Sequence, residues 1–412
     1  MRARRARAQR PAADHLPASF PAAWPPFPSP VPLTRPSIGD AELAAVADVF
    51  DSGWMAGQGT RSLALEADFK KLTGRQHAVA VNDSTAGLHL ALAGLGLGPG
   101  HEIIVADYSF PGTGQAVLYC GATPVFVDVR ADTGTIAADL VEAAITSRTR
   151  AIVAVDALGT PADWAPLEQV AWHHGLLLIE DAACSAGGTY RGRPCGSFGE
   201  VAVFSLDARK GITCGEGGVV TTDDAALAAR VRRDACFGMD SGPERQATGA
   251  GHGTGTCAAV PGIGYSYQLS DVLAAVASVQ LSKIGQFVAR RRELAARYAE
   301  LLADVPGILL PFVPPDRSPT WQTYAVTVQR PLSRDAVAAA LRAHAIGCNI
   351  GTYALHRQGV HGNGAAPCPV SDELAERHLA LPMYPDLTDA DQIRVAGTLI
   401  KVISEQLACC DS

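Results

Sequence analysis

Lysine is scarce in this 412-residue chain: of 34 basic side chains only five are lysines, at positions 70, 71, 210, 283 and 401. An excess of positive charge is missing too. The net charge is −7, whereas a dedicated nucleic-acid binder would need a basic face. Apolar stretches are interrupted by Gly and Pro before they reach 18 residues, so the sequence offers no membrane span. The ten cysteines contain no CxxC pair and no zinc-type spacing. In a chain of this length they read as reduced thiols of a cytoplasmic protein, not as a disulfide framework. His173 and His174 have no third ligand in view, so no metal is expected. Internal repeats are lacking as well.

What is there begins irregularly. "MRARRARAQR" is basic and "FPAAWPPFPSPVPLTRP" is proline-rich. No apolar segment follows the arginines, which excludes a well-formed secretory signal. Residues 1–35 therefore read as a disordered extension. From Pro36 onward short apolar runs recur, among them "HAVAV" (77–81), "EIIVAD" (102–107), "RAIVAVDA" (150–157), "LLLIEDAA" (176–183) and "EVAVFSL" (200–206). Helical segments such as "TAGLHLALAGLGL" (85–97) separate many of them. Strands apolar on both faces and alternating with helices predict a mostly parallel sheet in a three-layer α/β domain, here residues 36–284. Residues 285–412 read as a smaller α+β domain, with a helix over 333–347 capped by Ser333 and stopped by Gly347. Arg290–Arg292 reads as a solvated helix face, and the Gly-rich stretch 239–262 as a mobile loop.

Polar residues gather where these strands end. "AVAV" runs into Asn82-Asp83-Ser84-Thr85, "IIVA" into Asp107-Tyr108-Ser109-Phe110, "IVAV" into Asp156, "LLLI" into Glu180-Asp181, and "VAVF" into Ser205 and then Lys210. Ligands of parallel α/β sheets bind at the carboxyl ends of the strands. Taken one at a time these residues have ordinary explanations. Ser84 or Thr85 would cap the helix that follows, Asp181 would pair with an arginine, Phe110 would be core, and Lys210 would be solvated. Together, a phosphate-suited helix N-terminus, a partly buried acid, a flat aromatic and a rare lysine are the parts that pyridoxal phosphate requires. The rival Gly-rich motif "GLGLGPG" (94–100) follows a helix instead of a strand, so it lacks the setting of a dinucleotide fingerprint.

The chain resembles the DegT/DnrJ/StrS family of pyridoxal-phosphate-dependent sugar aminotransferases over nearly all of residues 36–405. The motifs fall in order: "PSIGDAELAAVADVFDSGWMAGQG" (36–59), "VNDSTAGLHLALAGLGLGPG" (81–100), "IEDAACSAGG" (179–188), "GSFGEVAVFSLDARKGITCGEGG" (196–218) and "LALPMYPDLTDADQIRV" (379–395). The resemblance implies a fold-type-I architecture with a seven-stranded, mostly parallel sheet, and a homodimer whose subunits share each site. It implies that Lys210 forms the Schiff base and that Asp181 faces the pyridine nitrogen. Phe110 is expected to stack on the ring, and Ser84, Thr85, Ala86 and Ser205 to hold the phosphate; Asp156 reads equally as a support behind the ring or as a structural hydrogen-bond partner. The sequence departs from the family in three places. Cys184 replaces a usual Gln or His beside the ring. Ser266 stands where a partner's Asn reaches the phosphate, with Gln268 in place of an Arg. Asp207 takes a position often aromatic or His.

The implied activity moves an amino group from glutamate or glutamine to a keto sugar, expected to be nucleotide-linked and part of amino-sugar or antibiotic biosynthesis. A keto-cyclitol is the alternative acceptor. Dehydratase relatives carry histidine in place of the lysine, which Lys210 speaks against. A non-catalytic regulator that binds the cofactor would be expected to have lost Lys210 or Asp181. Only a lysine suits the first role, because a guanidinium stays protonated where an ammonium can release its proton. His356 reads as a surface residue.

Overall fold

The computed structural model describes residues 30–239, 259–361 and 366–410. Most of the extension and nearly all of the Gly-rich stretch lie outside them. Seven strands make the main sheet: β1 (His77–Val81), β2 (Glu102–Ala106), β3 (Thr123–Val127), β4 (Thr149–Val155), β5 (Leu177–Asp181), β6 (Val201–Ser205) and β7 (Gly218–Thr222). Their spatial order is β1-β7-β6-β5-β4-β2-β3. Strands β2 to β6 pair in parallel, while β7 runs antiparallel to both β1 and β6.

The sheet is covered on both faces, and the alternation of side chains shows it. Val79 and Val81 enter one core with Leu88, Leu90 and Leu92 of helix α3 (Ser84–Gly94). Ala78 and Ala80 enter another with Phe69, Phe204 and Leu281. Ile104 and Ala106 likewise face Trp164, opposite to Ile103 and Val105. Strands buried on both sides cannot alternate apolar with polar, which is why they appear as continuous apolar runs. Close approach fixes details of the packing. Gly196 has φ +90°, and a Cβ there would come within 2.2 Å of the Phe204 ring. Phe204 in turn packs on Phe69 with centroids 5.1 Å apart.

Helix α4 (Pro111–Tyr119) follows β2, and α5 (Trp164–His174) precedes β5. Two further helices, α6 (Asp271–Ser282) and α7 (Ile284–Leu302), lead into a second core built from Leu294, Tyr298 and Leu302 with Tyr324, Val326 and Leu379. A three-stranded sheet of Ile308–Leu309, Tyr324–Val328 and His378–Leu381 and helix α8 (Arg334–Ala343) complete it. Ser333 caps α8, accepting from Ala336 N–H at 3.3 Å. The helix ends at Ala343, four residues before Gly347. That glycine serves a different purpose: its N–H donates to Val31 O at 2.8 Å, and a Cβ would sit 2.5 Å from Leu33 N. Residues 30–35, assigned by composition to the extension, thus run along the second core, with Val31 buried in it. No single helix among the described residues is long and apolar enough to cross a membrane.

Candidate active site

The sheet places Asp181 at the tip of β5 and Lys210 in the turn after β6. Both line one cleft, together with Phe110, Cys184, Arg209 and Tyr108. The turn is fixed by its backbone: Lys210 N–H donates to Asp207 O at 2.9 Å, and Cys214 N–H to Leu206 O at 3.1 Å. Lys210 Nζ donates to Cys184 Sγ at 3.1 Å. Burial disfavours the ammonium, but the pull of Cys184, Asp181 and Asp207 outweighs it and raises the Lys210 pKa.

Asp181 is buried, and its partners are short-range. Thr113 Oγ1 donates to Oδ2 at 2.7 Å and Ala183 N–H to Oδ1 at 3.2 Å. Since the Thr113 proton points to the carboxylate, Ser109, 2.8 Å from Thr113 Oγ1, supplies the next donor in the chain. Burial raises the Asp181 pKa, opposed by the Thr113 hydrogen bond and the charge of Lys210. Thr113 was invisible as a site residue in the sequence. It lies three positions after Phe110 on α4, and nothing in "FPGTG" points it at a carboxylate 68 residues away.

Phe110 is the N-cap of α4 and its side chain is exposed at the cleft, not core. Tyr353 meets its ring edge-on at 6.2 Å, and the Arg209 guanidinium stands 5.9 Å from the ring centroid. Ser84, Thr85 and Ala86 form the first turn of α3, but none of them caps it. Asp83 does, accepting from Ala86 N–H at 2.9 Å, so that amide is already engaged. Among the described residues nothing accepts from the amides of Ser84 and Thr85. The first turn abuts the aromatic platform: a Cβ on Gly112 would come within 2.4 Å of Thr85 Oγ1.

Three further expected residues do not line this cleft. Ser205 is buried at the end of β6, where its Oγ accepts from Asp207 N–H at 3.3 Å and it lines a smaller pocket beside Lys210. Asp156 does not reach the cleft. It is fully buried and accepts from Ala162 N–H at 2.8 Å and Ser185 Oγ at 2.6 Å. Glu180 lies next to it, and burial plus the Asp156 charge push its pKa well up. The Ser185 hydroxyl, donating to Asp156, fastens the loop after β5 to the loop after β4. Ser266 is exposed at the far end of β1, where its carbonyl accepts from Asn82 Nδ2 at 3.4 Å.

His356 is not a surface residue. Its Nδ1 lies 2.8 Å from Asp107 Oδ2, and its N–H donates to Asp107 Oδ1 at 2.7 Å. Asp107 is fully buried. This pair, with the short ladder of Tyr108–Ser109 against Tyr353–Ala354, clamps one wall of the cleft to the other. His356→Leu removes the imidazole from Asp107 Oδ2 and leaves the buried carboxylate with the backbone N–H of residue 356, so it should lower unfolding free energy by about 3 kcal/mol, read from the denaturant midpoint.

A profile of the DegT/DnrJ/EryC1/StrS aminotransferase family matches residues 36–400. The chain belongs to this family. It is an aminotransferase with the fold-type-I architecture. It is similar to the aminotransferase TlmJ from Streptoalloteichus hindustanus, at 34% identity over 92% of this chain and 100% of that one, with a TM-score of 0.85. DesI, solved in the presence of its TDP-sugar product, shares 33% identity over 94% of this chain and 97% of its own, with a TM-score of 0.84. Spr1654 from Streptococcus pneumoniae, solved in a PLP-form, shares 25% over 91% of this chain and 99% of its own, with a TM-score of 0.82.

Proposed function

We propose that the chain transfers an amino group from glutamate or glutamine to a nucleotide-linked keto sugar, using pyridoxal phosphate. The observation that carries this reading is the convergence of Lys210 and Asp181 on one cleft beside the exposed Phe110 ring. The residues fit the cofactor. Asp181 is a buried carboxylate whose strongest partner is a neutral hydroxyl, so a protonated ring nitrogen would compensate it. The missing Cβ of Gly112 leaves Thr85 Oγ1 and the free first-turn amides open to a phosphate. When bound, the cofactor supplies an electron sink for the substrate α-carbon.

The chain's own residues do the rest. Lys210 Nζ would anchor the cofactor and, as a free amine, would serve as the base that moves a proton from the substrate α-carbon. Asp181 would keep a proton on the ring nitrogen. Phe110 supports the ring's face, and Cys184 steadies the lysine. Thr85 and Ser84 would take the phosphate end, joined by Ser205 from the smaller pocket beside Lys210 and with Ala86 restricted by Asp83. Ser266 does not line the cleft of its own chain and is exposed beside Asn82, which fits a homodimer in which it reaches the partner's site. The TDP-sugar product of DesI supports a nucleotide sugar over a free one. Action in the cytoplasm on an antibiotic or amino-sugar route fits the same reading.

The test is spectroscopic. Purified protein should be yellow, and its pyridoxamine form should regain the original absorbance when mixed with a nucleotide-linked keto sugar. Recovery with keto-cyclitols and not with keto sugars would reassign the acceptor. Recovery with neither would support a non-catalytic regulator.

A further inference from the structure

Arg209 is the neighbour of Lys210 in the chain, and nothing in the amino transfer so far uses it. Among the described residues that line the cleft, the charged ones are Asp181, Lys210 and Arg209. The proposed function commits the first two to the cofactor, Asp181 to its ring nitrogen and Lys210 to its carbonyl. Arg209 is then the cation that the cleft still offers once the cofactor is in place.

Its guanidinium is held in place from one side. Asp207 Oδ1 accepts from the Arg209 backbone N–H and from Arg209 Nε, each at 3.0 Å. Burial alone would raise the Asp207 pKa, but these two hydrogen bonds outweigh it and lower the pKa. The Arg209 carbonyl accepts from Gln322 Nε2 at 3.1 Å, which ties the turn to a second segment of the cleft lining. Glu216 adds only a through-space pull. Nη1 and Nη2 have no acceptor among the described residues. The side chain is 63% exposed and lies 5.9 Å from the centre of the Phe110 ring, itself 51% exposed. The guanidinium thus stands at the mouth of the cleft, whereas Lys210 is half-buried.

We propose that Arg209 binds the diphosphate of the substrate and so makes the enzyme selective for nucleotide-linked over free keto sugars. This rests on the proposed function and adds the group that recognises the substrate's charged end. The terminal edge of a guanidinium presents two parallel N–H donors that match phosphate oxygens. Asp207 takes Nε and leaves that edge to a ligand. Position selects between the anions the enzyme meets. A donor's α-carboxylate is attached to the carbon that bears the amine, so it stays in the depth beside Lys210. In a nucleotide-linked keto sugar the ring stands between the aminated carbon and the diphosphate, which carries the charge outward to the mouth.

The test compares wild-type holoenzyme with Arg209→Gln and Arg209→Lys. Calorimetry of TDP and UDP on the pyridoxamine form should give a Kd about tenfold or more higher for Arg209→Gln, with Arg209→Lys in between. KM for a TDP- or UDP-linked keto sugar should rise by a similar factor while kcat changes less than about threefold. Added salt should weaken TDP binding to wild type more than to Arg209→Gln. The half-reaction with the amino donor, followed as loss of the yellow absorbance, should be unchanged. Equal Kd and KM in wild type and Arg209→Gln overturn the proposal and leave the amino-sugar reading standing. A slower donor half-reaction with unchanged sugar KM also overturns it and moves Arg209 to the donor's carboxylate. Wild type that binds neither TDP nor UDP overturns it as well. Wild type that aminates only phosphate-free ketones fells the amino-sugar reading and this proposal together. Should Arg209→Gln fail to fold, Arg209→Lys keeps the charge and loses the fork, so its KM decides the matter.

Discussion

Lys210→Arg should reduce turnover by about 10⁴-fold or more while leaving the fold intact. The charge and most of the length survive this exchange, so the loss isolates the two things an amine does and a guanidinium does not. The first is covalent attachment of a carbonyl cofactor. The second is release of a proton, which a guanidinium does not do near neutral pH. The environment sharpens the contrast. In the cofactor-free cleft Cys184, Asp181 and Asp207 hold Lys210 as an ammonium, and only consumption of the amine by the cofactor relieves that. Two measurements check the result. Borohydride treatment of wild type should add the reduced cofactor's mass to the peptide containing Lys210, and the Arg variant should show no such adduct. The variant should still bind the cofactor reversibly and unfold at a similar denaturant concentration. Trapped cofactor on the Arg variant at another lysine would displace Lys210 from its assigned role.

The fold was legible because a sheet buried on both faces leaves a plain mark: continuous apolar runs, each ending in polar residues at the same edge. The seven strands fall where those runs do, within about two residues at their ends. Strand-end position alone was less informative about the site, because it does not say where a side chain points. Asp181, the last residue of β5, looks into the cleft, whereas Asp156, one residue past the end of β4, turns inward to Ser185 and Glu180. Partners far apart in sequence left no signal either. Asp107 and His356 meet across 249 positions, and neither residue announces the other. Arg291 is the opposite case. It falls on the stripe Phe287–Arg291–Leu294–Tyr298–Leu302, which has the helical period of a buried face. The triple arginine drew it to solvent by composition when periodicity already placed it inside.

Asp181→Asn should lower kcat by about 10³-fold, with a smaller effect on cofactor retention. An amide in this position still accepts from Thr113, so the local structure has a reason to persist. What disappears is the negative charge that, in the proposed role, would keep a proton on the ring nitrogen and so favour removal of the substrate α-proton. The stability of the cofactor-free protein should move the other way. Burial raises the native pKa of Asp181 above its ordinary value, so the native state binds this proton more tightly than the unfolded chain does. Its contribution to stability is therefore full below the ordinary aspartate pKa and is lost as the pH climbs through the native value. At neutral pH the ionised, buried carboxylate is a burden on the apoprotein, and Asn removes it. Apo Asp181→Asn should then be more stable than apo wild type at pH 7, with the gap closing at pH values below about 4. Adding pyridoxal phosphate should reverse the order, because only the wild type gains a charged partner for its ring nitrogen. Denaturation curves of both proteins, with and without cofactor at two pH values, test all three signs. A cofactor-induced stabilisation as large in the Asn variant as in wild type would show that Asp181 does not face the ring nitrogen.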